Sequence, residues 1–389
     1  MTTIPKNLSD VLKPVGRAKG LPNEHYIDNE IFLEEREILL FKHWCGIGFA
    51  KDVPNAGDVN PIEFMNTPLL ILRDDKNKIR VFQNTCRHRG MILIAEKKNL
   101  QGVIRCPYHS WCYDLTGQLR STPHVGGPGI NIHKDVNKSE LGLIEFNCYV
   151  WLGIIFVNIS NDAKSFKTHH ADLIKRWIDF DKPLYHSGRD SSIRLEVKCN
   201  WKLAVENYCE SYHLPWIHPG LNSYSRLEDH YNIEGPKKFA GQGSTMYRQL
   251  NVAGTTFPSF EQLGQKWKRG AEYLAVFPNV LLGVHLDHIF AIILEPISTD
   301  LTIEHIEIYY SSQKSLRRPY SLLRRRNKEQ WEIVFLEDIP VVEGMQKGRL
   351  GKNFDGGKFS PVMDGPTHLF HDWVAGCFRP TKDKNSELS

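Results

Sequence analysis

The sequence contains no apolar run long enough to span a bilayer. Its longest such run, CYVWLGIIFVNI at 148–159, is well short of the roughly 20 residues that a transmembrane helix needs. We therefore expect a buried β-strand there and no membrane association. The N-terminal segment is polar and lacks the apolar centre of a secretory signal peptide. These two absences predict a cytoplasmic protein, in which thiols stay reduced.

The sequence also lacks a strong excess of charge of one sign. Its formal net charge is +4, and no basic stripe interleaved with aromatic residues is present, which argues against nucleic acid as a partner. No Gly-x-Gly-x-x-Gly segment follows a predicted strand, so a bound flavin or nicotinamide is not expected. Any redox chemistry must then take its electrons from a separate protein.

The 389 residues exceed the roughly 250–300 at which a single hydrophobic core stops growing. Residues 29–42 have helical periodicity. From about 45 to 160, short apolar runs are separated by Gly, Asn and Asp, which is typical of a compact all-β module. Later segments return to helical spacing and, around 270–312, to strand alternation. The pattern predicts an α+β protein with a small all-β domain inserted into a larger α+β domain. The predicted boundaries are 1–42, 43–160 and 161–389.

Two of the eight cysteines lie beside histidines. The segment CRHRGMILIAEKKNLQGVIRCPYHSW offers Cys86, His88, Cys106 and His109 as metal ligands, with 17 residues between His88 and Cys106. Each half supplies one thiol and one imidazole, whereas a zinc finger usually pairs thiols in one half and imidazoles in the other. The mixed arrangement suits a cluster of two inequivalent irons, although a mixed zinc site is the alternative. Gly90 is expected to permit a close backbone approach. The other six cysteines are expected to be small core residues.

A second group of candidate ligands lies in NWKLAVENYCESYHLPWIHP, residues 200–219. Glu210 and His213 are three apart and are expected to share a helix face. Pro215 is expected to stop that helix, so that His218 lies on a turn and swings back towards His213. Two imidazoles and one carboxylate leave coordination positions open on Fe(II), which is the usual platform for activating dioxygen. From the residues alone, a structural pair of histidines is the alternative.

The Cys-x-His and Cys-Pro-Tyr-His-Ser-Trp halves of the first segment resemble the Rieske signature. The second segment resembles the catalytic motif of Rieske non-haem iron oxygenase α subunits. This resemblance covers nearly the whole chain. It implies a 2Fe–2S cluster in the all-β domain, with the two cysteines on one iron and the two histidines on the other. It also implies a mononuclear Fe(II), held by His213 and His218, in a catalytic domain with an antiparallel sheet flanked by helices.

The resemblance further implies roles for carboxylates. The third iron ligand in the family is the aspartate in the second position of an acidic pair within a long helix. Asp338 occupies that position in FLEDIPVVEGMQKG, and Glu337 is the alternative. Glu210 occupies the position of the carboxylate that links a cluster histidine of one subunit to an iron histidine of the next. Electrons are then expected to pass from His109 of one chain through Glu210 to His213 of its neighbour, in a homotrimer or a multiple of a trimer.

A glutamate at position 210, where the family more often has aspartate, resembles a subset acting on quaternary ammonium compounds. EDIPVVEGMQKG followed by GGKFSPVMDGPTHLFHDWV resembles choline and glycine betaine monooxygenases. The implied reaction uses O2 and electrons from an NAD(P)H-dependent reductase or a ferredoxin to hydroxylate, or N-demethylate, a substrate such as choline, glycine betaine or carnitine. The alternative is an aromatic ring-hydroxylating oxygenase acting on an aromatic acid or a related ring compound.

A methylated cation requires a desolvated pocket with aromatic faces, because it cannot donate hydrogen bonds. The residues expected to line this pocket are Asn207, Tyr208, Tyr212, Trp216, His285, Phe290 and Asp364. A basic cluster, LRRPYSLLRRRNK at 316–328, is either a solvated helix face or a docking patch for an acidic redox partner.

Overall fold

The computed structural model describes residues 8–379, which divide into two compact units. The larger unit contains residues 8–40 together with 170–379, and the smaller unit contains residues 41–169. The smaller unit is therefore one continuous segment that interrupts the larger unit in sequence. None of the helices in residues 8–379 has both the length and the apolar character needed to cross a membrane.

The α-helices α1–α9 occupy, in chain order, Glu24–Ile27, Asn29–Glu35, Phe166–His169, Ala171–Arg176, Trp201–Cys209, Leu214–Ile217, Pro219–Asn222, Ser321–Gly348 and Gly365–Cys377. The strands β1–β17 occupy Cys45–Phe49, Asp58–Phe64, Thr67–Arg73, Ile79–Gln83, Lys98–Asn99, Val103–Arg105, Cys112–Asp114, Leu119–Ser121, Glu145–Trp151, Ile154–Asn158, Ser192–Val197, His230–Glu234, Phe239–Ser244, Ala271–Val276, Val280–Val284, His288–Ser298 and Leu301–Tyr310. Arg36–Phe41 is a π-helical turn that follows α2.

The smaller unit is built from two antiparallel sheets. A seven-stranded sheet has the order β1-β10-β9-β4-β3-β2-β5, and a three-stranded sheet has the order β6-β7-β8. The run at 148–159, expected to be one buried strand, is instead most of a hairpin of β9 and β10. Leu152 and Gly153 join these strands with φ of 47° and 79°, the left-handed pair that a tight hairpin turn requires.

The larger unit is a seven-stranded antiparallel sheet covered by helices. Its strand order is β11-β17-β16-β15-β14-β13-β12. Helix α5 contacts β13, β14 and β16 and also packs on α8 and α9. The strands β14 and β15 are buried along their whole length, because helices cover this part of the sheet. The predicted α+β class, with an all-β domain and an antiparallel sheet flanked by helices, is confirmed.

All eight cysteines are free thiols in this structure. Outside the cluster loops, the buried ones are Cys45, Cys112, Cys199 and Cys209, and the half-buried ones are Cys148 and Cys377.

Candidate active site and cluster loops

The first set of candidate ligands lies in two loops, 86–91 and 106–111. Each loop forms the same type of backbone turn. In each loop the cysteine amide donates to the carbonyl five residues later, at 2.8 Å. The residue four positions after the cysteine has a positive φ, which is 72° at Gly90 and 56° at Ser110. A Cβ added at Gly90 would meet no atom of the described chain within 4 Å, so the expected close approach of this backbone to a cluster stays a prediction. Glycine serves this turn by adopting the left-handed conformation.

The four candidate ligands of these loops differ in burial. Cys86 and Cys106 belong to the apolar core of the smaller unit and are 3% and 2% exposed. His88 is exposed and His109 is half-buried, with ring centroids 4.7 Å apart. The Nδ1 atom of His109 is buried and has no hydrogen-bond partner among the described residues. Thiols on the core side and imidazoles on the surface side suit a cluster with one iron on each side.

The spacing of the same four side chains argues against a single zinc ion. In the described part of the chain, no three of their donor atoms lie within 4.8 Å of one another. The edges of a tetrahedral zinc site are only roughly 3.3–3.8 Å, given its bond lengths. A two-iron cluster spans a greater distance between its ligands, so these residues fit that group better.

Tyr113, in strand β7 just after the second loop, contacts the first loop and was not predicted from the sequence. The Arg87 amide donates to Tyr113 Oη at 3.0 Å, which leaves the hydroxyl hydrogen free to point at Cys86 Sγ, 3.3 Å away. Burial raises the pKa of Tyr113 above its ordinary value, so the hydroxyl stays a donor. Hydrogen bonds to ligand sulfur are among the factors that set the potential of an iron–sulfur cluster. A lone tyrosine seven residues after Cys106 gives little sequence signal for this role.

The chain around the second set of candidate ligands folds differently from its prediction. Helix α5 ends at Cys209, and Glu210 is extended, with φ −124° and ψ 162°. Glu210 and His213 therefore do not share a helix face. Pro215 does not stop a helix either, because it lies in the first turn of α6, where a missing N–H costs nothing. His213 precedes α6, and His218 follows it.

Three donor groups converge beside these short helices. His213, His218 and Asp338, the last from the long helix α8, can place one ligand atom each within 4.8 Å of the others. Asp338 Oδ1 lies 3.0 Å from His218 Nε2 and 3.7 Å from His213 Nε2. The ring centroids of the two histidines are 5.1 Å apart. This is the arrangement expected of a two-histidine, one-carboxylate iron site.

A further carboxylate contacts each of the two imidazoles at Nδ1, the nitrogen that faces away from the three converging groups. His213 Nδ1 lies 2.6 Å from Glu210 Oε1, and His218 Nδ1 lies 2.8 Å from Glu337 Oε2. Because a carboxylate only accepts, each Nδ1 carries the proton in these contacts, and each Nε2 is the nitrogen that could bind a cation at the centre. Glu337, the alternative third ligand, thus contacts the nitrogen that faces away from the site, whereas Asp338 contacts the nitrogen that faces it.

Two observations show that the three converging groups suit a cation. Asp338 Oδ1 is buried and has no hydrogen-bond partner of acceptable geometry among the described residues. Burial lowers the pKa of His218, but the negative carboxylates of Asp338 and Glu337 beside the ring outweigh this effect, so the pKa lies above its ordinary value. Both effects arise because negative charge is concentrated here, which a metal ion would neutralise.

A cavity of about 50 Å³ opens onto these three donors. Its aromatic wall is formed by Tyr208, Tyr273, Phe290, Trp331 and Phe335. The polar side chains that line it besides the candidate ligands are Asn207, His230 and Gln242. Of the expected lining residues, Asn207, Tyr208 and Phe290 are therefore in place.

Four residues expected in the pocket do not line this cavity. Tyr212 and Trp216 are 45% and 69% exposed, because helix α5 ends before them and α6 turns them towards the surface. His285 is buried behind the wall, with its Nε2 3.2 Å from the Tyr273 hydroxyl. Asp364 instead accepts the Ser360 amide at 2.6 Å, next to the start of α9.

A larger outer cavity, of about 610 Å³, lies beside the inner one. Both cavities are lined by Leu221 and Val334, so these two side chains stand between them. The outer cavity is also lined by Arg326, Glu329 and Glu337 among other residues.

Comparison with known proteins agrees with this geometry. The family model described as the ring hydroxylating alpha subunit (catalytic domain) matches residues 185–379, which is half of the chain. The model of the Rieske [2Fe-2S] domain matches residues 43–138. The chain therefore belongs to the ring-hydroxylating α-subunit family of Rieske non-haem iron oxygenases. Proteins of this class carry a Rieske 2Fe–2S cluster and a mononuclear iron in the catalytic domain.

Two curated relatives are about one-quarter identical in sequence to this chain over the aligned residues. Putrescine 2-hydroxylase of Ralstonia nicotianae is 27% identical over 94% of this chain and 98% of its own. The carnitine monooxygenase oxygenase subunit of Escherichia coli is 24% identical over 86% of each chain.

Solved structures show the same fold. The quaternary ammonium Rieske monooxygenase CntA in complex with L-carnitine matches with a TM-score of 0.75 at 20% identity, over 97% of this chain and 100% of that chain. Naphthalene 1,2-dioxygenase from a Rhodococcus species, bound to indole, matches with a TM-score of 0.70 at 19% identity, over 92% and 94%.

Proposed function

We propose that this chain is the terminal oxygenase component of a multicomponent system that oxidises a small quaternary ammonium compound. The observation that carries the proposal is the convergence of His213, His218 and Asp338 on an aromatic cavity. These three residues would hold Fe(II), which when bound supplies the site for binding and reducing dioxygen. Glu210 and Glu337 fix the ring orientation and the protonation state of the two histidines.

Electrons would enter through the cluster held by Cys86, Cys106, His88 and His109. The source would be an NAD(P)H-dependent reductase or a ferredoxin. Transfer to the iron would follow His109 of one subunit, then Glu210 and His213 of the next. This route requires an oligomer, and the resemblance to the family implies a trimer or a multiple of one. The structure of a quaternary ammonium Rieske monooxygenase with the same fold gives insight into inter-subunit electron transfer in that protein, which supports this route.

The basic segment 316–328 offers only part of its charge to a redox partner. Arg324 is buried, and its guanidinium donates to the carbonyls of Ser315 and Arg317. Arg325 and Arg326 are exposed. A docking patch in this segment would therefore depend on the exposed arginines, while Arg324 has a structural role.

The charges in the wall of the inner cavity favour a quaternary ammonium substrate. Five aromatic side chains can surround a methylated cation. Among the described residues that line this cavity, Asp338, a candidate metal ligand, is the only carboxylate, so an ammonium group inside it would have no other charged acceptor. Glu329 and Glu337 line the outer cavity, not the inner one. Neither Lys nor Arg is among the described lining residues, so any substrate carboxylate would depend on uncharged hydrogen-bond partners in this cavity. Asn207 and His230 remain to bind a substrate hydroxyl or carboxylate.

The outer cavity is the access route in this proposal. The inner cavity of about 50 Å³ is smaller than the roughly 300–1,000 Å³ of ordinary ligand pockets. A substrate would therefore pass between Leu221 and Val334 and extend towards the outer cavity. Hydroxylation of a methyl carbon bonded to nitrogen would give an unstable product whose C–N bond breaks to release formaldehyde and an amine with one methyl group fewer, which is N-demethylation.

Oxygen uptake in the presence of a reductase tests the proposal. Choline, glycine betaine and carnitine would be compared with putrescine and benzoate, using Asp338→Ala as the inactive control. We expect uptake coupled to product with at least one of the three quaternary compounds. Coupled turnover of putrescine or benzoate, with none of the three consumed, would show that the substrate class is wrong.

A further inference from the structure

A buried chain of hydrogen bonds ends on the wall of the inner cavity. Gln249 Nε2 donates to Asp287 Oδ2 at 2.6 Å, and the other oxygen of this carboxylate lies 2.6 Å from His288 Nδ1. His288 Nε2 lies 2.8 Å from Trp331 Nε1, on helix α8. Asp287, His288 and Trp331 are each at most 2% exposed. Only Trp331 of these residues lines the cavity.

The two ends of this chain of hydrogen bonds, an indole N–H and a carboxylate, determine which atom donates in each bond. An indole N–H can only donate, so His288 Nε2 must accept and carry no proton. The imidazole proton then lies on Nδ1 and is donated to Asp287. A neutral imidazole thus connects the carboxylate to the indole.

The ring stacked on this imidazole adds no positive charge. His285 lies parallel to His288 with centroids 4.3 Å apart and an interplanar angle of 8°. Burial holds the pKa of His285 well below its ordinary value, so this ring is neutral as well. No positive charge on either ring offsets Asp287, so its negative charge polarises the indole N–H of Trp331 through the imidazole of His288.

We propose that Asp287 and His288 are positioning residues that set the orientation and electron density of Trp331 for a cationic substrate. The inference rests on the proposed function. The hydrogen bond to His288 fixes the indole plane, which is also tilted by 57° to the ring of Phe290 and lies within 20° of parallel to that of Phe335. Drawing the indole proton towards an anion makes the ring face more negative, and a negative face attracts a cation.

The test compares charged and neutral ligands on the holoenzyme by titration calorimetry. The probes are choline and its neutral analogue in which carbon replaces nitrogen. Asp287→Asn keeps the size of the side chain and removes its charge, and we expect it to weaken choline binding about fivefold. Binding of the neutral analogue should stay within twofold of the wild type, roughly the error of such a comparison.

Two further variants make the test specific. Trp331→Phe keeps an aromatic wall but removes the indole N–H, and adding Asp287→Asn to it should cause no further loss. Asp179→Asn is the matched control, because Asp179 accepts the indole N–H of Trp267 at 2.9 Å, and neither residue lines the cavity. This control variant should bind choline and its neutral analogue as tightly as the wild type does.

The outcomes separate the inference from the proposed function. Equal changes for choline and its neutral analogue, or no change for either, would overturn the positioning role while leaving the substrate class intact. If Asp287→Asn does not fold, the Trp331→Phe variant still decides, since it too must lower the preference for choline. A wild-type enzyme that binds no quaternary ammonium compound would overturn the proposed function and this inference together.

Discussion

Replacing Glu337 with alanine should weaken the mononuclear iron site without abolishing it. Glu337 Oε2 lies 2.8 Å from His218 Nδ1, on the side of the ring that faces away from the candidate site. Asp338 Oδ1 lies 3.0 Å from Nε2 of the same ring. Glu337 therefore orients and polarises a ligand, and loss of such a partner typically lowers metal affinity about 10- to 100-fold. This range corresponds to about 1.4–2.7 kcal/mol.

The measurement is iron content per chain after equilibration with chelators of graded strength. Cluster absorbance normalises each sample, because the cluster ligands lie in the other unit of the chain. Glu337→Gln keeps an acceptor for His218 Nδ1 and should have intermediate affinity. Glu329→Gln removes the same charge from an exposed position on α8 and should bind iron like the wild type. Asp338→Ala should retain only the two irons of the cluster.

Two results would refute this reasoning. If Glu337→Ala loses the iron as completely as Asp338→Ala, Glu337 is itself a ligand. If its iron affinity equals that of the wild type, the hydrogen bond to His218 contributes nothing to the site.

Four other variants test separate features. Glu210→Gln should leave all three irons bound but slow reduction of the mononuclear iron in single-turnover experiments, and a normal rate would exclude Glu210 from the electron path. Tyr113→Phe should lower the reduction potential of the cluster in a redox titration, because it removes a hydrogen bond to sulfur. Burial and the charge of Asp338 raise the pKa of Glu304 to about 8. Protonated Glu304 therefore stabilises the fold at low pH, and this contribution is lost as the pH rises to about 8. Glu304→Gln should reduce the fall in melting temperature between acidic and alkaline buffer. Val334→Trp should narrow the passage between the cavities and raise KM with little effect on iron content, and an unchanged KM would exclude this route.

The metal-binding segments could be predicted from the sequence because their chemistry is local. A cysteine and a histidine within four residues already identify each cluster loop. The backbone turn of these loops was not predicted, because one loop forms it at Gly90 and the other at Ser110. The third ligand of the candidate iron site, the carboxylate of Asp338, was predicted only from the resemblance to the family. Nothing in the spacing between His218 and Asp338, 120 positions apart in the chain, shows that α8 brings them together.

The ends of the helices were not predictable, because side chains decided them. Glu210 was expected to continue helix α5. Its carboxylate instead accepts the backbone N–H groups of Tyr212 and His213 as well as the His213 ring. This arrangement caps the following turn and competes with the helix. The early end of α5 places Tyr212 and Trp216 outside the inner cavity, and residues from distant strands, such as Tyr273, take the place expected of them.

The charges around the iron site connect its ligands to its proposed substrate. Glu210, Glu337 and Asp338 carry one more negative charge than Fe(II) carries positive charge, provided that both histidines are neutral. The excess lies next to a cavity with no free cationic side chain among its described lining residues. Interactions between charges are strong in such a water-poor site. A ligand that brings a fixed positive charge and no proton can compensate the excess without titrating the histidines. A quaternary ammonium group has this property, whereas a neutral ring does not.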